Sequence, residues 1–388
     1  MIHALFVFGT RPEAIKLAPV IHQFQRQPDR FRVSVCFTSQ HKELLRQVTE
    51  FFNITEDVDL DVMIENQTLE HVTSEVILRM RNVLRDFKPD VILVQGDTTT
   101  VFAAALAAFY QKVKVGHVEA GLRSHERYSP FPEEINRRLA SVLADFHFAP
   151  TKKAAANLEA EGIPPEQIFV TGNTVVDALH LGLSLLNQWP REQRRALWSE
   201  AGLSEDFIDR VFDDEIRLIT VTAHRRESFG APFEDMCRAM RDIVDEAEDV
   251  EIVYPVHPNP NVRATVNNVL QGHARVHLIE PVRYEQLIDF MSRSVLLLTD
   301  SGGIQEEAPS LNKPVLVMRE VTERPEGIEA GVAKLVGTNR DVIVSTVRNL
   351  LRDRDAYARM TGGGNPYGDG KASERIAVII TEGFSEEG

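Results

Sequence analysis

Short apolar runs, each followed by a helical stretch, recur along this chain, and their lack of polar alternation constrains the fold more than any other feature. Ile2–Phe8 is the first run; Gly9-Thr10-Arg11-Pro12 follow, then a helical pattern over residues 13–25. Pro12 sits near the helix start, where a missing N–H costs nothing. Residues 32–38, 91–94 and 113–118 read as further strands, with helices over 41–52 and 99–110. Strands apolar on both faces need helices on both faces, so the pattern predicts an α/β fold with a parallel, Rossmann-like sheet.

The rhythm lapses between Gly172 and Asp214, a mostly polar and helical stretch. It resumes with strands at 218–222, 252–256, 295–299 and 315–318 and helices at 233–246, 262–270 and 303–310. Two Rossmann-like βαβ domains, residues 1–175 and 176–365, are therefore expected to face a central cleft. Residues 366–388 are expected to return a last helix to the first domain after the breaker cluster Gly362-Gly363-Gly364-Asn365-Pro366. In open parallel sheets ligands gather at the carboxyl ends of the strands, so residues there are the candidates.

Charge narrows the ligands. Of 388 residues, 43 are Lys or Arg and 58 Asp or Glu, a formal charge of −15. A field of that sign repels nucleic acid and anionic lipid, and an anionic small molecule would need a local basic pocket. With only Cys36 and Cys237 present, neither a disulfide framework nor a cysteine zinc site can be built. Apolar runs such as 102–110 are too short to span a bilayer, and no basic leader precedes the first of them. A cytoplasmic protein is expected.

Asp97 closes one strand (VILVQGD) and Glu119 the next (VKVGHVEAG). On neighbouring strands they emerge at one sheet edge, about 4.8 Å or a small multiple apart. Two carboxylates so placed cannot both ionise freely, and one pKa should rise toward the range of proton transfer; capping the following helix or loop is the plain alternative. YSPFPEEINRR places Glu133 and Glu134 in a helix's first turn, as any helix start prefers, with Arg137 and Arg138 beside the site or on a solvated face. FGTRPEAIK puts Arg11 and Lys16 on the turn after the first strand, suited to an anionic ligand or to a surface salt bridge. TAHRRESFG puts His224, Arg225 and Arg226 after the first strand of the second domain.

In TDSGGIQEEAPS, Ser301-Gly302-Gly303 make a tight turn into a helix. Glycines there let backbone N–H groups approach a diphosphate, and Glu306 or Glu307 can accept ribose hydroxyls; a plain strand-to-helix turn is the bland alternative. Other patterns fail. G-x-G-x-x-G is absent; the aspartates at 57, 59 and 61 lack the Gly and Glu of a calcium loop; His117-x-Glu119 lacks the cysteines of a zinc deaminase; GDGKAS lacks a P-loop's first Gly. No metal, ATP or NAD cofactor is expected.

In order along the chain, FGTRPEAIK, QGDTTT, GHVEAGLRS, YSPFPEE, TGNTVVDA, HRRES and TDSGGIQEEAPSLNKPVLVMREVTERPE closely resemble the non-hydrolysing UDP-N-acetylglucosamine 2-epimerases, from about Phe6 to Asp369. The resemblance implies the GT-B arrangement and the interconversion of UDP-GlcNAc and UDP-ManNAc by inversion at sugar carbon 2. UDP is eliminated, a 2-acetamidoglucal forms, and UDP returns after protonation on the other face. The resemblance also implies Asp97, Glu119 and Glu133 as acid/base carboxylates, in an order left open, with Arg11, Lys16 and His224 around the leaving diphosphate. Ser301, Gly302 and Gly303 would hold phosphates, Glu307 the ribose and Arg324 the nucleotide; main-chain atoms near Val282 and Leu287 would read uracil.

A second, regulatory UDP-GlcNAc site is matched at Gln40, Glu134, Arg225 and His257. The chain departs from it at Glu43, where a Gln is usual in some members, and at Asn66, where an Arg is. A homodimer is implied too, as is a supply of ManNAc for surface polysaccharide. Competing readings are a GT-B glycosyltransferase, a hydrolysing epimerase releasing ManNAc and UDP, and a non-catalytic nucleotide-sugar sensor.

Overall fold

The structure is a computed structural model and describes residues 1–39, 42–64 and 67–385. Seven strands form the first sheet: β1 (Ile2–Phe8), β2 (Phe31–Phe37), β3 (Val58–Asp59), β4 (Val91–Gln95), β5 (Lys114–Val118), β6 (Phe146–Ala149) and β7 (Ile168–Val170). All neighbours are parallel, in the order β3-β2-β1-β4-β5-β6-β7. Leu5, Val7, Ile92 and Val94 have no exposed surface and meet Val76 and Met80 of the helix Leu69–Phe87 and Val101, Ala104 and Ala108 of the helix Thr99–Tyr110. Alanine on the second helix lets its backbone lie close over the sheet, and burying apolar strands on both faces is what commits them to the interior.

The second sheet contains β8 (Arg217–Thr222), β9 (Val250–Pro255), β10 (Val276–Ile279), β11 (Ser294–Thr299), β12 (Val315–Val317) and β13 (Ala333–Leu335). It is parallel as well, ordered β10-β9-β8-β11-β12-β13. In each sheet the chain winds outward from the middle in both directions, so the order reverses between β1 and β4 and again between β8 and β11. Connections on either side of such a reversal diverge to opposite faces and leave a crevice at the strand ends.

Two compact units result, Met1–Leu181 together with the chain from Tyr367 onward, and Gly182–Pro366. The chain leaves the first unit within the helix Thr174–Gln188 and re-enters it before the helix Ala372–Ser385, which packs on the helix Arg11–Gln25. Asp177 fixes that return by accepting the main-chain N–H groups of Ala372 (3.2 Å) and Ser373 (2.8 Å). Gly370 is required just before it: φ is +76° and a Cβ would lie 2.3 Å from the His180 ring.

Strands β3, β6, β7, β10 and β13 do not stand out in the sequence. They are two to four residues long, and β6 and β10 each carry a histidine in their apolar run. The helix expected over 303–310 is divided: an α-helix spans Gly302–Glu307 and a 3₁₀ turn Ala308–Leu311. Pro309 explains the break, because it has no N–H to continue the α-helical ladder.

Candidate functional site

In the first unit the candidate residues collect beside the reversal between β1 and β4. β4 and β5 are direct neighbours, with Gln95 opposite Val118, so Asp97 and Glu119 leave adjacent strand ends. Each is countered by its own cation. Asp97 Oδ2 accepts from Arg137 Nε (2.9 Å) and lies 2.6 Å from Arg137 Nη2. Glu119 Oε1 accepts from Lys16 Nζ (2.5 Å) and Asn173 Nδ2 (3.1 Å), and its Oε2 accepts from Gln95 Nε2 (2.5 Å). Glu119 holds a left-handed φ of 67°, an uncommon state for a side-chain-bearing residue and a frequent mark of functional turns.

The helix Glu133–Leu143 is drawn to the same edge. Asn136 Nδ2 donates to the Asp97 carbonyl (3.0 Å), and Arg137 bridges Asp97 and Glu134 (3.2 Å to Glu134 Oε2). Arg137 therefore belongs to the cluster, whereas Arg138 lies outward beside Glu161 at 3.5 Å. Glu133 opens this helix, and its buried Oε2 has no hydrogen-bond partner among the described residues. Glu134 is buried and accepts the N–H groups of Ser124 (2.9 Å) and His125 (3.3 Å). Burial pushes its pKa up, but the bonds from Ser124 and the charge of Arg137 outweigh that and hold it below the usual value.

Arg11 and Lys16 lie on the first turns of the helix Arg11–Gln25, and Glu13 between them organises the turn. Its Oε2 accepts the N–H groups of Gly9 (3.0 Å) and Thr10 (2.7 Å), and its Oε1 accepts the Thr98 hydroxyl (2.6 Å). One buried carboxylate thus ties the loop after β1 to the loop after β4. The buried His117 ring, whose pKa desolvation takes down to about 4, bonds the Gly96 carbonyl (2.7 Å). Among the described residues no cluster of three metal-ligating side chains occurs, and no helix is long and apolar enough to cross a membrane.

In the second unit the candidates flank the reversal between β8 and β11. His224 and Arg225 follow β8; the His224 ring is parallel to that of His257, centroids 4.9 Å apart. Desolvation lowers the His224 pKa, and the charge of Asp300 opposes the shift while His257 and Arg225 add to it. Ser301 caps the helix Gly302–Glu307, its N–H donating to Thr299 Oγ1 (2.9 Å). Neither Gly302 nor Gly303 has a positive φ, and a Cβ on either would meet nothing nearer than 3.8 Å. The fold itself has room for a methyl group at either glycine.

Glu306 is paired with Arg324, and its carbonyl accepts from Asn365 Nδ2 (2.7 Å). Glu307 Oε1 accepts the Tyr284 hydroxyl (3.2 Å), whose pKa burial pushes well above normal. Arg319, nearly inaccessible, binds both Glu227 and Glu323 and so ties the loop after β8 to the loop after β12. Val282 and Leu287 are half-buried; the Leu287 N–H is committed to the Arg283 carbonyl at 3.1 Å, which removes that donor from any uracil contact. Of the regulatory positions, Gln40 and Asn66 lie outside the described residues, and Glu43 is exposed in the first turn of the helix Lys42–Phe51.

Sequence reasoning passed over Gln95, Asn173, Glu13, Asp300 and Arg319. Gln95 carried a usable signal, a polar residue in an otherwise apolar strand, and Asp300 stands where a strand meets the glycines.

Two Rossmann-like units with charged clusters at their switch points define a two-domain α/β protein with one candidate site region in each domain. A family model described as UDP-N-acetylglucosamine 2-epimerase matches residues 22–381. The UDP-N-acetylglucosamine 2-epimerase of Escherichia coli K12 is 50% identical over 380 residues, 97% of each chain. The crystal structure of UDP-GlcNAc 2-epimerase from Neisseria meningitidis bound to UDP-GlcNAc has a TM-score of 0.85 at 45% identity, covering 98% of this chain and 100% of that one. A Staphylococcus aureus MnaA structure with UDP has a TM-score of 0.82 at 45% identity, covering 99% and 97%. The chain belongs to the UDP-N-acetylglucosamine 2-epimerase family.

Proposed function

We propose that this chain is a non-hydrolysing epimerase that interconverts UDP-GlcNAc and UDP-ManNAc by eliminating UDP and adding it back. The proton on sugar carbon 2 is not acidic, so the bond from carbon 1 to the diphosphate must loosen first. Oxocarbenium character then acidifies the neighbouring C–H; loss of that proton with UDP gives 2-acetamidoglucal. Protonation from the other face and return of UDP complete the inversion. Arg11, Lys16 and the Ser301-Gly302-Gly303 backbone would stabilise the departing diphosphate, the largest electrostatic contribution in such a step, and His224 would be an acid/base partner beside it. Asp97, Glu119 and Glu133 would move protons, and Glu307 and Arg324 would hold the nucleoside end.

The observation that carries this reading is the pair of carboxylates on adjacent strand ends, Asp97 clamped by Arg137 and Glu119 by Lys16, with the helix that Glu133 opens tied to the Asp97 carbonyl through Asn136. A transferase needs one base, whereas inversion needs an acid and a base on opposite faces of the sugar. Support for the substrate comes from the family and from the ligand in the Neisseria relative. Proton NMR in deuterated water tests it: deuterium should enter carbon 2 of intact UDP-sugar. Release of free sugar would make the chain a hydrolase, and no exchange would leave a transferase or a sensor.

The same reading makes the protein a cytoplasmic homodimer supplying activated ManNAc to polysaccharide synthesis. The first unit offers a surface for the second copy. Leu78, Phe109, Tyr110, Leu139 and Val142, on three helices that pack in succession, are each at least 40% exposed.

A further inference from the structure

Asp300 directly follows β11 and has no exposed surface. Its Oδ2 accepts the main-chain N–H groups of His224 (2.6 Å) and Arg225 (2.7 Å), so one oxygen pins the loop after β8 at the residue bearing the imidazole. Arg225 Nε closes the ring of contacts on the Asp300 carbonyl (3.3 Å). The other oxygen, Oδ1, is buried, makes no hydrogen bond among the described residues, and lies 3.5 Å from Nδ1 of His224. A buried carboxylate oxygen without a donor is costly, which favours a ring proton facing it. The parallel His257 ring, 4.9 Å away between centroids, limits how far the imidazole can swing.

We infer that Asp300 is the positioning residue of His224: it keeps the proton on Nδ1 and leaves Nε2 to meet the sugar nucleotide. The inference rests on the reading that His224 works at the epimerase site. Catalytic hydrogen bonds are often long without ligand and shorten in the complex, and a carboxylate on one imidazole nitrogen fixes the tautomer that acts through the other. The same side chain joins the loop after β8 to the start of the glycine turn after β11, so His224 and the proposed phosphate cradle are set by one carboxylate.

Asp300→Asn retains an oxygen for the two main-chain donors but turns an amide N–H toward Nδ1, which reverses the tautomer. The expected result is a fall in kcat of about a hundredfold with UDP affinity unchanged. In a His224→Asn background the same substitution should cost less than about twofold, because the group through which it acts is gone. Equal losses in both backgrounds, or wild-type kcat in the single variant, would overturn the assignment. Should Asp300→Asn fail to fold, the wild-type protein decides. Long-range proton–nitrogen correlation with labelled histidine, His224 identified by its absence in His224→Asn, should show Nδ1 protonated in the neutral ring; a proton on Nε2 overturns the assignment. Wild-type protein without epimerase turnover would refute the epimerase reading instead, and the tautomer measurement would still decide the pairing.

Discussion

Asp97→Asn and Glu119→Gln are each expected to lower kcat by about a thousandfold while UDP still binds, since positioned proton transfer contributes about 10² to 10⁴ in rate. The amides preserve shape and leave an oxygen for Arg137 or Lys16, so the fold should survive. What they lose is the ability to take or return a proton. Asp97 reaches the edge after the turn at Gly96, which has φ +81°. Glu119 is held by three donors from three parts of the chain, Lys16, Gln95 and Asn173. That constraint fixes the carboxylate's position. Single-turnover kinetics with titration of UDP separates chemistry from binding. Full activity in both variants would remove the carboxylates from the mechanism.

Gly302→Ala is expected to do the reverse, sparing the fold and damaging binding. A Cβ at position 302 meets nothing nearer than the Arg324 guanidinium at 3.8 Å, and alanine is the better helix former by roughly 0.5–1 kcal/mol. The melting temperature should therefore hold or rise. If the phosphates press against this backbone, the added methyl displaces them, and a shift of about 1 Å at a reacting centre can cost about a hundredfold in kcat/KM. Calorimetry with UDP and a thermal melt test both halves. A variant that melts lower and binds UDP normally would show that the glycine serves the fold.

Much of this arrangement was legible because parallel sheets write themselves locally. An apolar run, a turn and a helix mark each long strand, and Asp97, Glu119, His224 and Ser301 stand immediately beyond such runs. The α/β class and the place of those residues at strand ends therefore follow from the chain read in order. The partners do not. Arg137 meets Asp97 because the helix after β5 comes back beside the end of β4, and Lys16 meets Glu119 because β1 and β5 flank β4 on either side; no local pattern records either. Asp300 takes no role from the sequence alone; its reach to His224 depends on β8 lying beside β11. The spacing of Asp97 and Glu119 suggested a shared proton; what spacing does not record is that other elements bring a cation to each of them. Edge strands such as β3 and β13 are too short to stand out as periods.

The central claim, that the bond from sugar carbon 1 to the diphosphate breaks and re-forms, is tested most directly with UDP-GlcNAc carrying oxygen-18 in that bridge. Once UDP is free, rotation of its terminal phosphate makes the bridging oxygen equivalent to its neighbours. During epimerisation the label should spread into the non-bridging positions of recovered UDP-sugar, read by the isotope shift in phosphorus NMR. Label retained wholly in the bridge through many turnovers at carbon 2 would contradict it.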